Sequence, residues 1–450
     1  MLETATRDAE RVWPVFVADP QLLETHAEAP VRVAWFAANL QALDERLRDH
    51  GSGLTVLRGR PEEVLRAFAA GIGAGAVYAA ADEDPIAIAR DERVAAAIEL
   101  RLVEDQRILP PAAVRTRAGA AYTVYTPYRR ALEAAIEAAP DAATSAAEPD
   151  DSRLAPPMSE DGAISLGPVP APRGLPVPGE RAASERLRSF LRAGITDYRD
   201  ERDRPDADAT SHLSPYLRVG AISVRACWRA ALNAAERASQ RADRRLAQGA
   251  VTWRGELAWR EFFAHVLAAH PRIASESFRT EYDAIDWAAG AEADDALAAW
   301  RDGHTGFPFV DAGMRQLAAT GWMHNRARLV TASFLVKDAG VDWRRGASVF
   351  AERLLDADVQ QNNGNWQWVA GVGTDAAPYF RIFNPTLQGR KFDPDGAYVR
   401  RWIPELAGLD PKHIHDPWNA PSPPRGYPPP MLDHGEARQR TLARYAAARP

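Results

Sequence analysis

The chain has 450 residues, enough for two or three domains that each bury a sizeable core. With 46% hydrophobic and 26% charged residues, it has the composition of an ordinary soluble globular protein. No apolar stretch approaches the roughly 20 residues of a membrane span, and residues 1–10 lack the pattern of a secretory signal. The single Cys227 excludes a disulfide framework and a cysteine-based zinc site, which predicts a cytoplasmic protein.

The net charge of −6 disfavours a nucleic-acid partner on its own, but the charge is unevenly distributed. Residues 312–346 carry six Arg or Lys against two Asp, and residues 381–402 carry five against two. Solvated helix faces explain either window alone, so a nucleic-acid partner needs support from other features.

Residues 1–110 alternate strand-like with helix-like runs. The predicted strands are Val12–Val17, Leu54–Leu57, Ala76–Ala80 and Leu100–Val103, and the predicted helices are Pro30–Asp49, Glu62–Ala70 and Pro85–Glu99. This alternation predicts an α/β domain with a parallel sheet built from βαβ units. Gly71-Ile-Gly-Ala-Gly75 is not a dinucleotide fingerprint, because its spacing is wrong and it precedes a strand instead of following one.

A change of composition follows. Residues 137–181 are rich in Ala, Pro, Ser and acidic residues without an apolar period, and we interpret them as an interdomain linker that crosses the surface. From Ala182 onward apolar residues recur at helix spacing, and Gly321 and Gly340 sit where helix ends belong. The predicted domains are therefore an α/β domain (1–136), a linker (137–181) and an all-α domain (182–450).

Tryptophan is concentrated in the all-α part, where eight of the thirteen fall between positions 253 and 368. A single Trp more often fills a core, but several of these tryptophans lie close in sequence to polar residues. Glu256 and Trp259 share a helix face at i, i+3. Trp366 and Trp368 follow the polar run 356–363, which a core helix does not need. We expect this run to face water or to bind a polar ligand.

Two further segments are rich in polar groups. Thr210–Ser214 precedes a helical run, and its hydroxyl and N–H groups suit a phosphate or diphosphate, although an ordinary N-cap explains it as well. Arg326 and Arg328 lie on different sides of a helix, so that one can pair inward with Asp356 while the other reaches a DNA phosphate.

Metal and hydrolase chemistry are not expected. His265 and His270 are five residues apart, which misses the i, i+4 spacing of a helical zinc site. The sequence also lacks a G-x-S-x-G nucleophile signature.

Five separated motifs, in this order along the chain, resemble the photolyase/cryptochrome family, and most of all its class I cyclobutane-dimer photolyases. They are Thr210–Ser214, Gly255–Phe262, Gly321–Arg328, Asn362–Trp368 and Thr374–Pro385. The resemblance runs from Ala182 to the C-terminus. It is looser over residues 1–136, where Tyr122–Tyr128 is also similar to the family.

The resemblance implies that the helical domain binds FAD, with FADH⁻ as the active state. Asn362 would face flavin N5, where a neutral amide can accept or donate a hydrogen bond, whereas an acidic residue would favour the neutral semiquinone. The other implied cofactor-binding residues are Tyr198, Thr210, Ser211, His212, Leu213, Ser214, Trp253, Glu256, Arg260, Asn325, Arg328, Asp356, Ala357 and Asp358.

The implied activity is blue-light-driven repair of cyclobutane pyrimidine dimers in DNA by a monomeric carbon–carbon lyase. The dimer would leave the duplex, receive an electron from excited FADH⁻, split and return the electron. Glu256 and Asn325 are the implied catalytic residues, and a protonated Glu256 would stabilise the developing radical anion. The implied DNA- and lesion-binding residues are Trp259, Asn325, Arg326, Leu329, Trp368, Arg381 and Gln388. Those of the electron-transfer chain to the surface are Trp366, Trp343 and Trp287.

The chain departs from the family in three places. The family's first strand, with a Trp-Phe-Arg-x-Asp-Leu-Arg-like motif, lies just upstream of the point where this chain starts. We therefore expect a sheet without this central strand, through a misplaced start or a truncation. The Asn-Glu pair typical of folate-binding members is missing near residues 84–87, which leaves a deazaflavin antenna or none. Leu329 stands where many dimer photolyases have Met.

Three alternatives stay open. A cryptochrome-type photoreceptor would share the fold and FAD, but Asn362 and a chain that ends at Pro450 without a signalling tail disfavour it. A (6-4) photolyase needs a His-rich pocket near Asn325, where only His324 is present. A DNA-binding scaffold without activity would not hold FAD.

Overall fold

The computed structural model describes residues 1–25, 28–140, 149–158, 174–375, 378 and 381–448. The chain forms two compact units. The first comprises residues 1–171, 176–193 and 211–271, and the second comprises residues 172–175, 194–210 and 272–450. Within the described residues, the strands all belong to the first unit and the second unit is helical. The domain limits at 136 and 182 remain a prediction.

The first unit begins with the predicted alternation of strands and helices. Its strands are β1 (Val15–Ala18), β2 (Thr55–Arg58), β3 (Val77–Ala80) and β4 (Leu100–Val103). The helices of the same stretch are α1 (Leu2–Asp8), α2 (Pro20–Thr25), α3 (Pro30–Asp49), α4 (Pro61–Ile72), α5 (Pro85–Ala97) and α6 (Tyr125–Ala138). All the predicted strands and helices are present in the predicted order, and α3 has the predicted bounds.

Proline determines where three of these helices begin. Pro30, Pro61 and Pro85 each occupy the first helical position, where the missing N–H costs nothing and φ is already helical. Asp84 caps α5 by accepting a hydrogen bond from the Ile86 N–H at 2.9 Å. Such local signals explain why the sequence alone located these helix starts closely.

The four strands form two separate parallel pairs among the described residues. β1 pairs with β2, with Val15 opposite Thr55, and β3 pairs with β4, with Val77 opposite Leu100. The predicted parallel direction is confirmed.

Residues 149–158 do not behave as a surface linker. The Ala155 N–H donates to the Val12 carbonyl at 2.8 Å, and Val12 forms an isolated parallel bridge with Leu154. The Ser52 hydroxyl donates to the Ala155 carbonyl at 2.5 Å. This segment therefore packs onto the α/β layer, where its buried backbone groups find partners. The linker residues 141–148 and 159–173 lie outside the described residues.

A buried charge network stabilises the first unit. Arg107, 2% exposed, donates from Nε to Glu83 Oε2 at 3.0 Å. Nearby, Glu261 accepts from the Ile108 N–H at 2.6 Å and from Arg260 Nη1 at 3.0 Å. Burial raises the pKa of Glu261, while the guanidinium groups of Arg260 and Arg107 oppose that shift. Because Arg107 and Ile108 are neighbours, the network ties the chain after β4 to the helix that carries Glu261.

From residue 180 onward the chain is helical, as predicted. In the first unit the helices are α7 (Glu180–Ala193), α9 (Ser214–Val219), α10 (Val224–Gln240) and α11 (Arg244–Ala269). In the second unit they are α8 (Tyr198–Glu201), α12 (Gly290–Arg301), α13 (Pro308–Thr320), α14 (Asn325–Ser333), α15 (Trp343–Arg353), α16 (Val359–Ala370), α17 (Pro385–Phe392), α18 (Ala397–Trp402) and α19 (His434–Ala447). A π-helical turn, Phe334–Asp338, follows α14. No helix of the described chain has the length and apolarity needed to cross a membrane.

The core of the second unit surrounds α14, α15 and α16. Gly321, at φ +67°, ends α13 as predicted and lets the chain turn back toward α14. The largest fully buried side chains of this unit include Trp300, Phe309, Phe334, Lys337, Trp343, Trp366, Tyr398 and Tyr445. Two members of the predicted electron-transfer chain, Trp343 and Trp366, are therefore core residues.

Candidate cofactor and DNA sites

A cavity in the second unit, here called the cofactor cavity, is lined by residues predicted to bind the cofactor or the lesion. Its lining includes Asn325, Arg328, Leu329, Asp356, Ala357, Asp358, Asn362 and Trp366. They come from α14 and from α16 with the turn before it. The cavity measures about 80 Å³.

The predicted ion pair lies in this cavity. Arg328 Nη2 donates to Asp356 Oδ2 at 2.8 Å, and the Asp356 side chain is only 5% exposed. Asp356 Oδ1 is buried and has no hydrogen-bond partner among the described residues. A buried carboxylate oxygen without a donor costs free energy, so this atom can accept a hydrogen bond from a ligand N–H or O–H.

The amide of Asn362 is oriented by the backbone of α15. Its Nδ2 donates to the Ala347 carbonyl at 2.8 Å. A carbonyl can only accept, so the amide nitrogen must lie on that side and Oδ1 lies on the other. Asn362 also lines the cofactor cavity, to which its oxygen is an available acceptor.

The rest of the polar run has a use that the sequence did not reveal. Asp358 caps α16 by accepting from the Gln361 N–H at 2.9 Å, and Asn363 donates to the Ala274 carbonyl. Just beyond the run, Gln367, 2% exposed, accepts from the Phe278 N–H at 2.8 Å and donates to two carbonyls of the same loop. The expectation that such a run faces water or binds a ligand was therefore incomplete, because several of its members satisfy buried backbone groups.

Trp366 and Trp368 lie on opposite sides of α16. Trp366 is 2% exposed and contacts the rings of Trp300 and Phe350, with centroids 6.0 and 5.0 Å away. Trp368 is half-buried. Gly346 makes room for Trp366, since a Cβ at that position would overlap its ring. The helix thus sends one indole into the core and leaves the other accessible, as the two predicted roles require.

The other two tryptophans of the predicted chain differ in exposure. Trp343, at the start of α15, is 1% exposed. Trp287 is half-buried and makes an edge contact with Tyr445 at 6.1 Å. Exposure therefore rises toward Trp287, the predicted surface end of the chain.

Arg326 lines a second cavity of the same unit, here called the Arg326 cavity. It measures about 430 Å³ and is lined by Asp200, Asp203, Arg204, Arg326, Arg381, Phe383, Gln388, Lys391 and Phe392. The structure thus brings Arg326 together with two predicted DNA-binding residues from a distant part of the sequence, Arg381 and Gln388. Arg326 and Arg328 serve different cavities, as their spacing on α14 predicted.

In the first unit, α11 carries four of the predicted site residues. Trp259 stacks on Tyr125 with ring centroids 3.6 Å apart and remains half-buried, and Glu256 is half-buried on the same helix face. Trp253 is buried against Phe190. Arg260 donates to the Gln106 carbonyl at 3.1 Å and to Glu261, so its described contacts are structural.

The predicted diphosphate segment has an unusual backbone. His212 adopts φ +50°, a left-handed conformation that residues other than glycine seldom adopt. Such strain persists only where the surroundings hold it, and it concentrates at functional sites. Ser211 presents its carbonyl to Arg186 Nε at 3.0 Å, and α9 begins at Ser214. Tyr198 is buried at the start of α8 in the second unit.

Two models of known domains match the chain. The model of the FAD binding domain of DNA photolyase matches residues 253–447, and the DNA photolyase model matches residues 1–149. The deoxyribodipyrimidine photo-lyase of Agrobacterium fabrum is 38% identical over 92% of this chain and 88% of its own length. That of Escherichia coli is 37% identical over 100% of this chain and 95% of its own length.

The chain belongs to the DNA photolyase family. The crystal structure of a bacterial class III photolyase from Agrobacterium tumefaciens superposes with a TM-score of 0.85 at 35% identity, covering 99% of this chain and 93% of that one. The family assignment of the sequence is therefore confirmed. The finer assignment to class I remains a prediction.

The cofactor cavity fits the FAD of this family. Asp356 Oδ1 and Asn362 Oδ1 are two acceptors for the polar edge of a flavin, and the Arg328 guanidinium supplies positive charge beside them. Arg328, Asp356 and Asn362 would hold that edge. Of the motif Thr374–Pro385, residues 376, 377, 379 and 380 lie outside the described residues.

Some site residues escaped the sequence interpretation. Lys391 follows Gln388 at i+3 on α17, a spacing that could have indicated it. Asp203 and Arg204 carried no such signal. The stacking of Tyr125 on Trp259 joins residues of two helices far apart in sequence, which no local pattern reports.

Proposed function

We propose that this enzyme repairs cyclobutane pyrimidine dimers in DNA by light-driven electron transfer from reduced FAD. One observation carries the proposal: the short helix α14 contributes Asn325 and Arg328 to the cofactor cavity and Arg326 to the Arg326 cavity. A cofactor and a DNA strand held from one helix would be close enough for an electron to pass between them. The names of the related deoxyribodipyrimidine photo-lyases support the substrate.

When bound, FAD supplies the electron that splits the dimer and takes it back, so that no net redox change results. The protein binds FAD and sets the charge and hydrogen bonding around it. Arg328 and Asp356 place a balanced charge pair at the cofactor, and Asn362 presents a neutral amide oxygen whose position is fixed by Ala347. A neutral acceptor suits a reduced, anionic cofactor, because it adds no second negative charge beside it.

The lesion has to leave the duplex, and photolyases are a known example of enzymes that turn their target out of the base stack. By the family resemblance, Trp259, Trp368 and Leu329 would each provide apolar contacts to the extruded dimer. The two tryptophans are half-buried, which leaves part of each indole available for such contact. Asn325 and Glu256 provide the polar contacts to the pyrimidines.

The remaining assignments come from the family resemblance. Trp366, Trp343 and Trp287 would carry electrons from the surface to oxidised FAD. Tyr198, Thr210, Ser211, His212, Leu213, Ser214, Trp253, Arg260, Ala357 and Asp358 would complete cofactor binding. A monomeric state, a cytoplasmic location and the antenna chromophore remain predictions.

Illumination of the purified protein with dimer-containing oligothymidylate tests the function directly. Restored thymine, dependent on light and on bound FAD, is the expected result. A photoreceptor or an inactive scaffold would leave the dimers intact. The (6-4) alternative has a further difficulty, because His324 is 2% exposed and caps α14, its Nδ1 accepting from the Arg326 N–H at 3.1 Å.

Replacement of Glu256 by Gln is expected to leave binding of damaged DNA intact and to lower the repair yield per absorbed photon. Gln keeps the shape and hydrogen-bonding capacity of the side chain, but it cannot act as a carboxylic acid toward the developing radical anion. We expect a loss of up to about 10-fold in this yield. Glu236→Gln, the same change at an exposed site on α10, is the control. An unchanged yield in Glu256→Gln would remove this role.

A further inference from the structure

Arg326 is held in one geometry by contacts on several sides. Its guanidinium lies over the Phe392 ring at 4.2 Å, a cation–π contact. Its backbone N–H is bound by the His324 cap. With the side chain only 16% exposed, the guanidinium forms a firm part of the wall of the Arg326 cavity.

The guanidinium already has an acidic partner. Arg326 Nη2 donates to Asp203 Oδ1 at 2.9 Å, and the Asp203 side chain is 33% exposed, twice as exposed as Arg326. Arg326 Nε is buried and has no hydrogen-bond partner among the described residues. The pair therefore uses one donor of a fork that can bind two oxygens of one anion.

The other charges of the cavity favour the binding of a further anion. Four cations, Arg204, Arg326, Arg381 and Lys391, stand against Asp200 and Asp203, which leaves a net charge of about +2 on the lining. Arg204 pairs with Asp206 at 2.7 Å. Lys391 lies over the Phe392 ring at 5.0 Å and Arg381 over the Phe383 ring at 5.9 Å.

We propose that Asp203 is an internal counter-ion that occupies the phosphate-binding edge of Arg326 until a DNA backbone phosphate displaces it. This inference rests on the proposed function and adds to it a residue that weakens DNA binding. A carboxylate and a phosphodiester compete for the same guanidinium edge, and the phosphate can use both Nε and Nη2. Because Asp203 lies on a turn after α8 and is more exposed than Arg326, which is held by Phe392, the carboxylate is the partner that moves.

The consequence is that the enzyme binds DNA more weakly than it would without the Asp203 carboxylate. Phosphate contacts carry no information about bases or lesions, so the carboxylate lowers binding to damaged and undamaged DNA alike. Weaker non-specific binding frees the enzyme to search for rare lesions. The Asp203 carboxylate also reduces the net positive charge of the DNA-binding surface, and therefore the salt dependence of DNA binding.

The test is DNA binding in the dark by Asp203→Asn, measured by anisotropy with a labelled undamaged duplex and with the same duplex carrying one thymine dimer. We expect roughly two- to fivefold tighter binding of both duplexes. The slope of log K against log salt is expected to steepen by up to about 0.9. FAD content and the unfolding midpoint serve to show that the variant is folded.

A double-mutant cycle with Arg326→Gln decides whether the effect belongs to the pair. The gain from Asp203→Asn is expected to disappear in the Arg326→Gln background, while the gain from Asp200→Asn, the same charge change in the same cavity, is expected to persist. An equal gain from Asp203→Asn in both backgrounds would overturn the proposal in favour of general electrostatics. Weaker binding would overturn it in favour of a positioning role.

Two more outcomes are decisive. If Asp203→Asn and Asp203→Ala both failed to fold, Asp203 would be a structural residue and the proposal would fall. If the unmodified enzyme bound no DNA at all, the proposed function itself would fail, whereas equal binding by the unmodified enzyme and Asp203→Asn would remove only the role of Asp203.

Discussion

Asp356→Asn is expected to lose most of its FAD during gel filtration, with an affinity for FAD roughly 10- to 150-fold lower than that of the unmodified enzyme. This range corresponds to about 1.5–3 kcal/mol, the free energy of a hydrogen bond to a charged group. The variant keeps the shape of the side chain but removes the charge that balances Arg328 at 2.8 Å. Asn has one carbonyl oxygen where Asp has two, so when that oxygen accepts from Arg328, an NH2 donor replaces the acceptor that Asp356 Oδ1 offers to a ligand.

The measurement is FAD absorbance per chain, followed by titration of the apoprotein with FAD. Asn365→Ala is the matched control, because Asn365 lies on the same rim of the cofactor cavity but is exposed, and its Nδ2 donates only to the Gln361 carbonyl. We expect this control to retain FAD. Equal FAD affinity in Asp356→Asn and the unmodified enzyme would show that the Arg328–Asp356 pair serves the fold alone.

Arg107→Met is expected to lower the free energy of unfolding by about 3–5 kcal/mol, the usual effect of removing one partner of a buried ion pair. Arg107 is 2% exposed and its guanidinium makes two contacts with Glu83, which is 6% exposed. Without Arg107, the buried Glu83 carboxylate loses this cation, and Glu261 loses one of the two cations that oppose the burial-driven rise of its pKa.

Urea unfolding, followed by circular dichroism, measures this loss. Arg117→Met, the same substitution at an exposed site, is expected to change stability by less than about 0.5 kcal/mol. The double variant Arg107→Met/Glu83→Leu should recover most of the loss, because an apolar pair can replace a buried ion pair at little cost. A double variant as unstable as Arg107→Met would assign the effect to packing around Arg107 and not to the loss of the cation beside Glu83.

Much of the secondary structure could be predicted from local sequence. Helix α3 begins at Pro30 and ends at Asp49 in both the prediction and the structure, because a proline start and a long amphipathic run are properties of neighbouring residues. Strand ends were less accurate: β1 runs over Val15–Ala18, where Val12–Val17 was predicted. Its backbone partners lie on β2, and the number of residues that pair depends on that distant segment.

The candidate site was predictable in part. The placement of Arg326 and Arg328 on different sides of α14 follows from helix geometry and was confirmed. The role of the polar residues around Asn363 was predicted only in part, because their backbone partners lie at Ala274 and in the loop around Phe278. The presence of a polar side chain in the sequence indicates that it needs a hydrogen-bond partner, but not whether that partner is water, a ligand or the main chain.

The sequence by itself determined the family and the order of strands and helices, and it predicts which residues form the cofactor and DNA sites. These features depend on residue identity and on spacing over a few helical turns. Only the tertiary structure determined which charged or aromatic side chains contact each other. Asp203 lies on Arg326, Glu83 on Arg107, and Tyr125 covers one face of Trp259. Such pairs form when segments that are far apart in the chain pack against each other. Geometry, burial and charge balance together determine which side chains meet, so no local sequence pattern predicts the pairs.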